Sequence, residues 1–437
     1  MNLTLSESRY LRYFSFTILY VAQGLPFGLV TVALPAFLLE RGVSAAAVGG
    51  FVGVAMLPWT FKWLAGPMMD RFTYLAMGRR RPWVLLAQLG LALTGLAFAF
   101  FPDALDNLVA LTALCFVLNC FGAAQDVAVD GMAMDVLPED EHGRANAFMG
   151  FGQVAGLSGS AAISAFVLQS FGLPGISVML VVGFGLILLW AVLVRERAGE
   201  KVLPWTPGQA TERSLQLRAG SWGTIAVDLV KVLFLPASLL LICVSSLFRF
   251  SDALWIQVGQ TVVVRELGVA STDYSSWISA TSFIAALAGI GLGLFIDRLG
   301  VKLFYLGALL AYGLLATAVG FSASAWESST FLMTVSALQA FVYQGVFVSF
   351  IAIHMKLCGT RVAATQFAIY MGIVNFARSL GATAIGALQP YMAYDQMLFV
   401  VGGGFFLAVV LLWNANLQSH RQRIGSLPGA GAGAVVA

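Results

Sequence analysis

Two aspartates, Asp126 and Asp130, stand four residues apart inside a long apolar run, 108–134. On an α-helix that spacing puts both carboxylates on one face, one turn apart. Two carboxylates this close repel each other, and such a pair is suited to binding and releasing a proton. A second group comprises Arg249 and Asp252, three residues apart in the run 233–262, and Arg378 in the run 363–390. A guanidinium binds carboxylate or phosphate in a bidentate way, so two arginines of this kind suit an anionic solute. Plainer readings stay open beside these. Asp126 and Asp130 could be struts paired to a base such as Lys62 or Arg144, and Arg249 could be spent on Asp252. For Lys62 the favoured reading is a snorkelling side chain.

These residues need explaining because of where they sit. The chain has 437 residues, 59% hydrophobic and only 10% charged, against about 25% charged in soluble domains. That composition excludes a soluble enzyme, a disordered chain and a basic nucleic-acid-binding face. The net charge of +3 implies no polyanionic partner. Apolar runs place twelve spans at 13–38, 46–69, 83–101, 108–134, 144–170 and 175–194, then 233–262, 274–296, 301–321, 330–353, 363–390 and 396–416. The expected fold is an all-α polytopic membrane protein of twelve transmembrane helices in two six-helix bundles, 1–194 and 233–424. A polar linker, 195–232, joins them, with a short interfacial helix expected near Ser221 to Leu233. The Gly/Ala-rich end, 425–437, is expected to be disordered. A charge near mid-bilayer costs about 2.5–3.5 kcal/mol. Helical rise puts Asp126 and Asp130 about 18 and 12 Å from the membrane face near Pro138.

Lysine and arginine set the orientation. One side collects Arg9, Arg12, Arg71, Arg79 to Arg81, Arg144, the linker bases, Arg298, Lys302, Lys356, Arg361, Arg421 and Arg423. The other side holds only Arg41 and Arg265. Both ends and the linker are therefore expected in the cytoplasm. The apolar run Tyr13 to Leu39 is too long for a signal-peptide core. No GxxxxGK[ST] loop suggests an ATP-driven pump. The four cysteines form no CxxC pair, and His142, His354 and His420 lie at span ends or in loops. No metal, cofactor or catalytic constellation is expected.

An internal repeat sharpens the picture. Gly66-x-x-x-Asp70-Arg71 follows the second span, with Gly78-Arg79-Arg80-Arg81 after it. Gly293-x-x-x-Asp297-Arg298-Leu-Gly300 follows the eighth span. The duplicated unit resembles the signature loop of the major facilitator superfamily, G-x-x-x-D-R-x-G-R-[RK]. The first copy departs from it by five extra residues, Thr73 to Met77. Pro138 to Arg144 resembles the superfamily's acidic-then-Gly-Arg loop. Leu57-Pro-Trp-Thr-Phe-Lys62-Trp, Gly78-Arg-Arg-Arg-Pro-Trp83 and Ala124-Gln125-Asp126-Val-Ala-Val-Asp130-Gly resemble the AmpG-type branch. That branch holds muropeptide, acetyl-CoA and RhtX/FptX-type siderophore permeases. Muropeptide permeases of that branch carry fourteen spans, so their substrate is not transferred.

The resemblance implies a secondary transporter of the bacterial inner membrane, without cofactor, working as a monomer by alternating access on a small solute and protons. In this superfamily spans one, four, seven and ten line the central cavity. Tyr20, Gln23, Asn119, Gln125, Gln257, Gln260, Gln339, Tyr343 and Gln344 then join Arg249, Asp252 and Arg378 as cavity-facing candidates, with Asp126 and Asp130 coupling protons. Gly66, Asp70, Arg71, Arg79, Arg80, Arg144, Gly293, Asp297 and Arg298 become gating candidates. Gly152-x-x-x-Gly156-x-x-Gly159 and Gly289 to Gly293 are expected where the halves slide on each other. Pro26 is expected to break or kink the first span.

Overall fold

The computed structural model describes residues 3–138, 141–216, 233–357 and 363–416. The segment expected as an interfacial helix and the tail 425–437 lie outside them. Long apolar runs become helices because a helix satisfies its own backbone where no water can. These are α1 (Arg9–Glu40), α2 (Ala45–Ala55), α3 (Ala65–Arg71), α4 (Arg81–Ala97), α5 (Leu108–Val136) and α6 (His142–Leu193). Then come α7 (Pro236–Glu266), α8 (Ser271–Leu299), α9 (Val301–Phe321), α10 (Ser329–Leu357), α11 (Ala363–Leu388) and α12 (Tyr394–Asn414). Among the described residues nine helices are long and apolar enough to cross a membrane. One of them, in α6, is two arms meeting at Gly172, whose φ of +61° is non-helical, just ahead of Pro174. The second expected span is interrupted: 3₁₀ turns at Leu57–Thr60 and Lys62–Leu64 separate α2 from α3.

Of the break or kink expected at Pro26, the break does not occur. The proline removes one N–H and crowds the preceding turn. The helix runs on and widens into a π turn at Leu29–Ala33, which re-spaces the ladder. A second π turn, Thr261–Glu266, closes α7, the matching helix of the second half, with no proline there. The widened turn is thus part of the repeat.

The chain forms two compact units. One comprises Met1–Ser44, Val54–Ala219 and Gly268–Ile284; the other comprises Ala45–Gly53, Gly220–Leu267 and Ala285–Ala437. In the first, α1 lies along α6 at backbone contact. A Cβ on Gly152 or Gly156 would collide with the carbonyl of Thr17 or Val21, and one on Gly24 or Gly28 with that of Gln153 or Leu157. Ser160 Oγ donates to Leu25 O at 2.7 Å along the same seam. This corrects the expectation of a sliding interface for Gly152 and Gly156: both are spent on packing inside one unit. In the second unit α7 packs on α11 and α12, and α9 on α12. Gly381 admits the Phe250 carbonyl, and Gly49 of α2 meets Ala382 O of α11.

Candidate functional site

The first unit gathers its charges where the second span unwinds. The 3₁₀ turn at Lys62–Leu64 faces α5, and Lys62 Nζ donates to Asp126 Oδ2 at 2.7 Å. Their side chains are only 12% and 6% exposed. Lys62 therefore does not snorkel; it neutralises a carboxylate that would otherwise be buried alone. One turn along, Asp130 accepts a short hydrogen bond from Tyr20 OH of α1. Asp126 is buried, whereas Asp130 and Tyr20 are half-buried. Trp59 roofs the cluster, donating through Nε1 to Asn119 Oδ1 at 2.7 Å and packing on Phe27 at 4.7 Å between ring centres. Gln125 turns away from the carboxylates, donating to Leu19 O at 2.9 Å. Gln23 accepts from Gln153 at 3.3 Å.

The second unit holds its own charged cluster. Arg249 and Asp252, both buried on α7, take separate partners. Arg249 Nη1 donates to Tyr343 OH at 2.8 Å, and its guanidinium lies 5.8 and 5.9 Å from the ring centres of Phe248 and Phe347. Asp252 Oδ1 accepts from Tyr312 OH at 2.6 Å, and that hydroxyl accepts from Gln339 at 3.1 Å. No Arg249–Asp252 ion pair forms among the described residues, so the one-helix strut is set aside. Among the described residues Arg249 Nε and Asp252 Oδ2 are buried without a hydrogen-bond partner. Arg378 lies within electrostatic reach of Arg249, Asp252 and Tyr343. Gln344 packs against Gly289 of α8. His354, read as a span-end residue, is fully buried in α10, 3.3 Å from Ser245 Oγ.

A third arrangement stands at the end of the first unit where basic residues collect. Glu196 is fully buried, and its carboxylate accepts the backbone N–H groups of Arg79, Arg80 and Arg81 at 3.0, 2.7 and 2.6 Å. Gly78 makes this possible: its φ is +102°, and a Cβ there would sit 2.7 Å from the Glu196 carboxyl carbon. Arg79 Nη1 reaches Asp135 of α5 at 3.1 Å, and Arg80 Nε reaches it at 3.5 Å. Arg81 donates to Ala191 O and Val192 O, capping α6 at 3.2 and 2.6 Å. Residues 195–216 are thus folded onto the unit. Thr4 bridges Arg195, and Arg12 grips Glu141 at 2.8 and 2.5 Å. Glu200 accepts Arg197 N–H at 2.9 Å and Ser214 OH at 3.1 Å. Burial, then repulsion from Glu196, pushes its carboxyl up to about 7. Burial also raises Glu196, against the pull of its three N–H donors.

Of the gating candidates, Arg79 and Arg80 join this network, and Gly66 sits loosely against Val127. Asp70, Arg71, Arg144, Gly293, Asp297 and Arg298 lie outside the residues whose side chains are described. Gly300, between α8 and α9, has φ +81°, so both copies of the repeat turn on a glycine of positive φ. Sequence reasoning missed Glu196, Glu200, Asp135 and Tyr312. The available signal for Glu196 was an acid flanked by Arg195 and Arg197 directly after a span.

Comparison with known proteins agrees with this geometry. The family model described as Major Facilitator Superfamily matches residues 16–259. The anhydromuropeptide permease of Escherichia coli K12 is 26% identical over 379 residues, covering 83% of this chain and 72% of its own. A transporter named AmpG 4 of Rickettsia conorii is 22% identical over 417 residues, covering 92% and 94%. The crystal structure of the D-xylose-proton symporter matches with a TM-score of 0.67 at 15% identity, covering 92% of this chain and 97% of that one. An all-helical membrane chain with buried charges on its spans, a duplicated glycine-turn loop and these relatives belongs to the major facilitator superfamily, as a multi-pass permease similar to the AmpG-type transporters.

Proposed function

We propose that this permease is a proton symporter that moves a small anionic organic solute across the bacterial inner membrane by alternating access. In this reading it crosses the membrane twelve times, in bundles 1–194 and 233–424, with both termini and the linker 195–232 in the cytoplasm. The observation that carries it is the pair of carboxylates one turn apart on α5, where among the described residues one ammonium pairs with Asp126 and a phenol with Asp130. A structural strut needs one acid for one base; the extra acid suits a group that takes and gives a proton. Arg249, positioned by Tyr343 with one N–H unspent, is the anchor for the solute's anionic group. Arg378, Asp252, Gln344 and the Arg79/Arg80 loop serve as solute-facing and gating groups.

The relatives make an anhydromuropeptide the first solute to try. The purified full chain, reconstituted in liposomes, is expected to take up labelled anhydromuropeptide several-fold faster under an acid-outside pH gradient, and a protonophore should abolish the difference. Uptake that ignores the gradient would instead mark an uncoupled facilitator.

A further inference from the structure

Three carboxylates lie deep in the spans, and their surroundings differ in kind. Asp126 has an ammonium at 2.7 Å and is sealed from solvent. Asp252 is buried with two guanidiniums, Arg249 and Arg378, in electrostatic reach. Among the described residues Asp130 has the neutral phenol of Tyr20 as its hydrogen-bond partner, and it is half-buried. Among the described residues the titratable groups facing Asp130 are Tyr20 from α1, Lys62 from the 3₁₀ turn and Asp126 from its own helix. Lys62 spends its hydrogen bond on Asp126.

A buried carboxylate with a bound ammonium has its counter-charge in place, and removing one partner of such a pair is costly. A carboxylate facing a phenol has no such counter-charge. With all three charged groups ionised the cluster carries a net negative charge. One proton on Asp130 makes it neutral.

Resting on the symport reading, we propose that Asp130 is the residue that carries the transported proton, with Tyr20 and the Lys62–Asp126 pair as its positioning residues. The proton adds to a carboxylate oxygen of Asp130 and leaves from it to water. No other bond changes. Tyr20 serves the proton site rather than the solute. Asp130 is also the more exposed of the two carboxylates, which favours it as the one that exchanges a proton.

Infrared difference spectroscopy of the reconstituted full chain, titrated across the neutral range without added solute, tests this. The wild type is expected to show a protonated-carboxyl C=O band that titrates. Asp130→Asn should remove the band and Asp252→Asn should keep it, whereas Asp126→Asn, which frees Lys62 to pair with Asp130, should move its midpoint to lower pH. Tyr20→Phe should keep it with a shifted midpoint, a change that a packing role for the hydroxyl would not produce. It also covers the case in which Asp130→Asn fails to fold. A titrating band that survives in Asp130→Asn, or a midpoint unmoved in Tyr20→Phe, overturns the assignment. Gradient-independent anhydromuropeptide uptake by the wild type would overturn the symport reading itself, a separate failure.

Discussion

Replacing Lys62 by alanine is expected to harm the protein more than removing Lys62 and Asp126 together. The single change strands a buried carboxylate, and breaking such a pair costs about 3–5 kcal/mol. Thermal melts of detergent-purified Lys62→Ala and of Lys62→Ala/Asp126→Asn measure this: the single variant should melt lower, and the double should recover part of the loss. Gly78→Ala should lower the melting temperature as well. It forces alanine to a φ of +102° and drives a methyl group into the Glu196 carboxylate. Strain of that kind costs about 1–3 kcal/mol before the clash is counted. Asp126, Asp130, Arg249 and Arg378 were legible in the sequence because a charge in an apolar run has no cheap explanation. Tyr20 and Tyr312 were harder. A tyrosine in such a run is usually packing, and the acids that bind these two hydroxyls lie 110 and 60 residues away. Only the folded chain brings them together.

Helices α1 and α6 touch at their backbones, so Gly156→Leu should separate them and lower the melting temperature sharply. Gly159→Leu, three residues on, should change little, because no atom lies within 4 Å of a Cβ there. A melt in which both variants fall equally would contradict the packing described. The strap 195–216 answers to pH. A carboxyl raised to about 7 when folded adds stability while protonated, and that contribution fades as pH rises from its ordinary range through about 7. Hydrogen exchange at 195–216, corrected for intrinsic rates, should therefore show protection falling as pH climbs through neutrality. Glu200→Gln should flatten the response. Helix positions were readable from apolar length alone. The strap was not, because residues 195–216 have the composition of a solvated tether. Their order comes from carboxylates meeting backbone N–H groups of a distant loop, which no local pattern encodes.

For the whole molecule, the twofold repeat was visible in the chain as two GxxxDR units, and the all-helical membrane fold followed from the long apolar runs. The acids of the first half and the arginines of the second were visible too, but not the partners that divide them: Lys62 and Tyr20 in the first unit, Tyr343 and Tyr312 in the second. Arg249→Gln should raise the KM for an anionic solute about tenfold or more while leaving gradient dependence intact, measured by proteoliposome uptake. Orientation can be checked at Trp205, which is 79% exposed. In a variant lacking the native cysteines, Trp205→Cys should react with a membrane-impermeant maleimide only after cells are opened. The Glu196 clasp also bears on biosynthesis. Arg79 to Arg81 leave the ribosome more than a hundred residues before the glutamate that organises them. Until Glu196 emerges, these three backbone N–H groups lack their carboxylate, and the loop must be held by water or lipid headgroups. A nascent chain halted at residue 194 would display a loose arginine loop, and one halted beyond 216 a closed one. The first half of this transporter finishes folding on a residue made after its last helix.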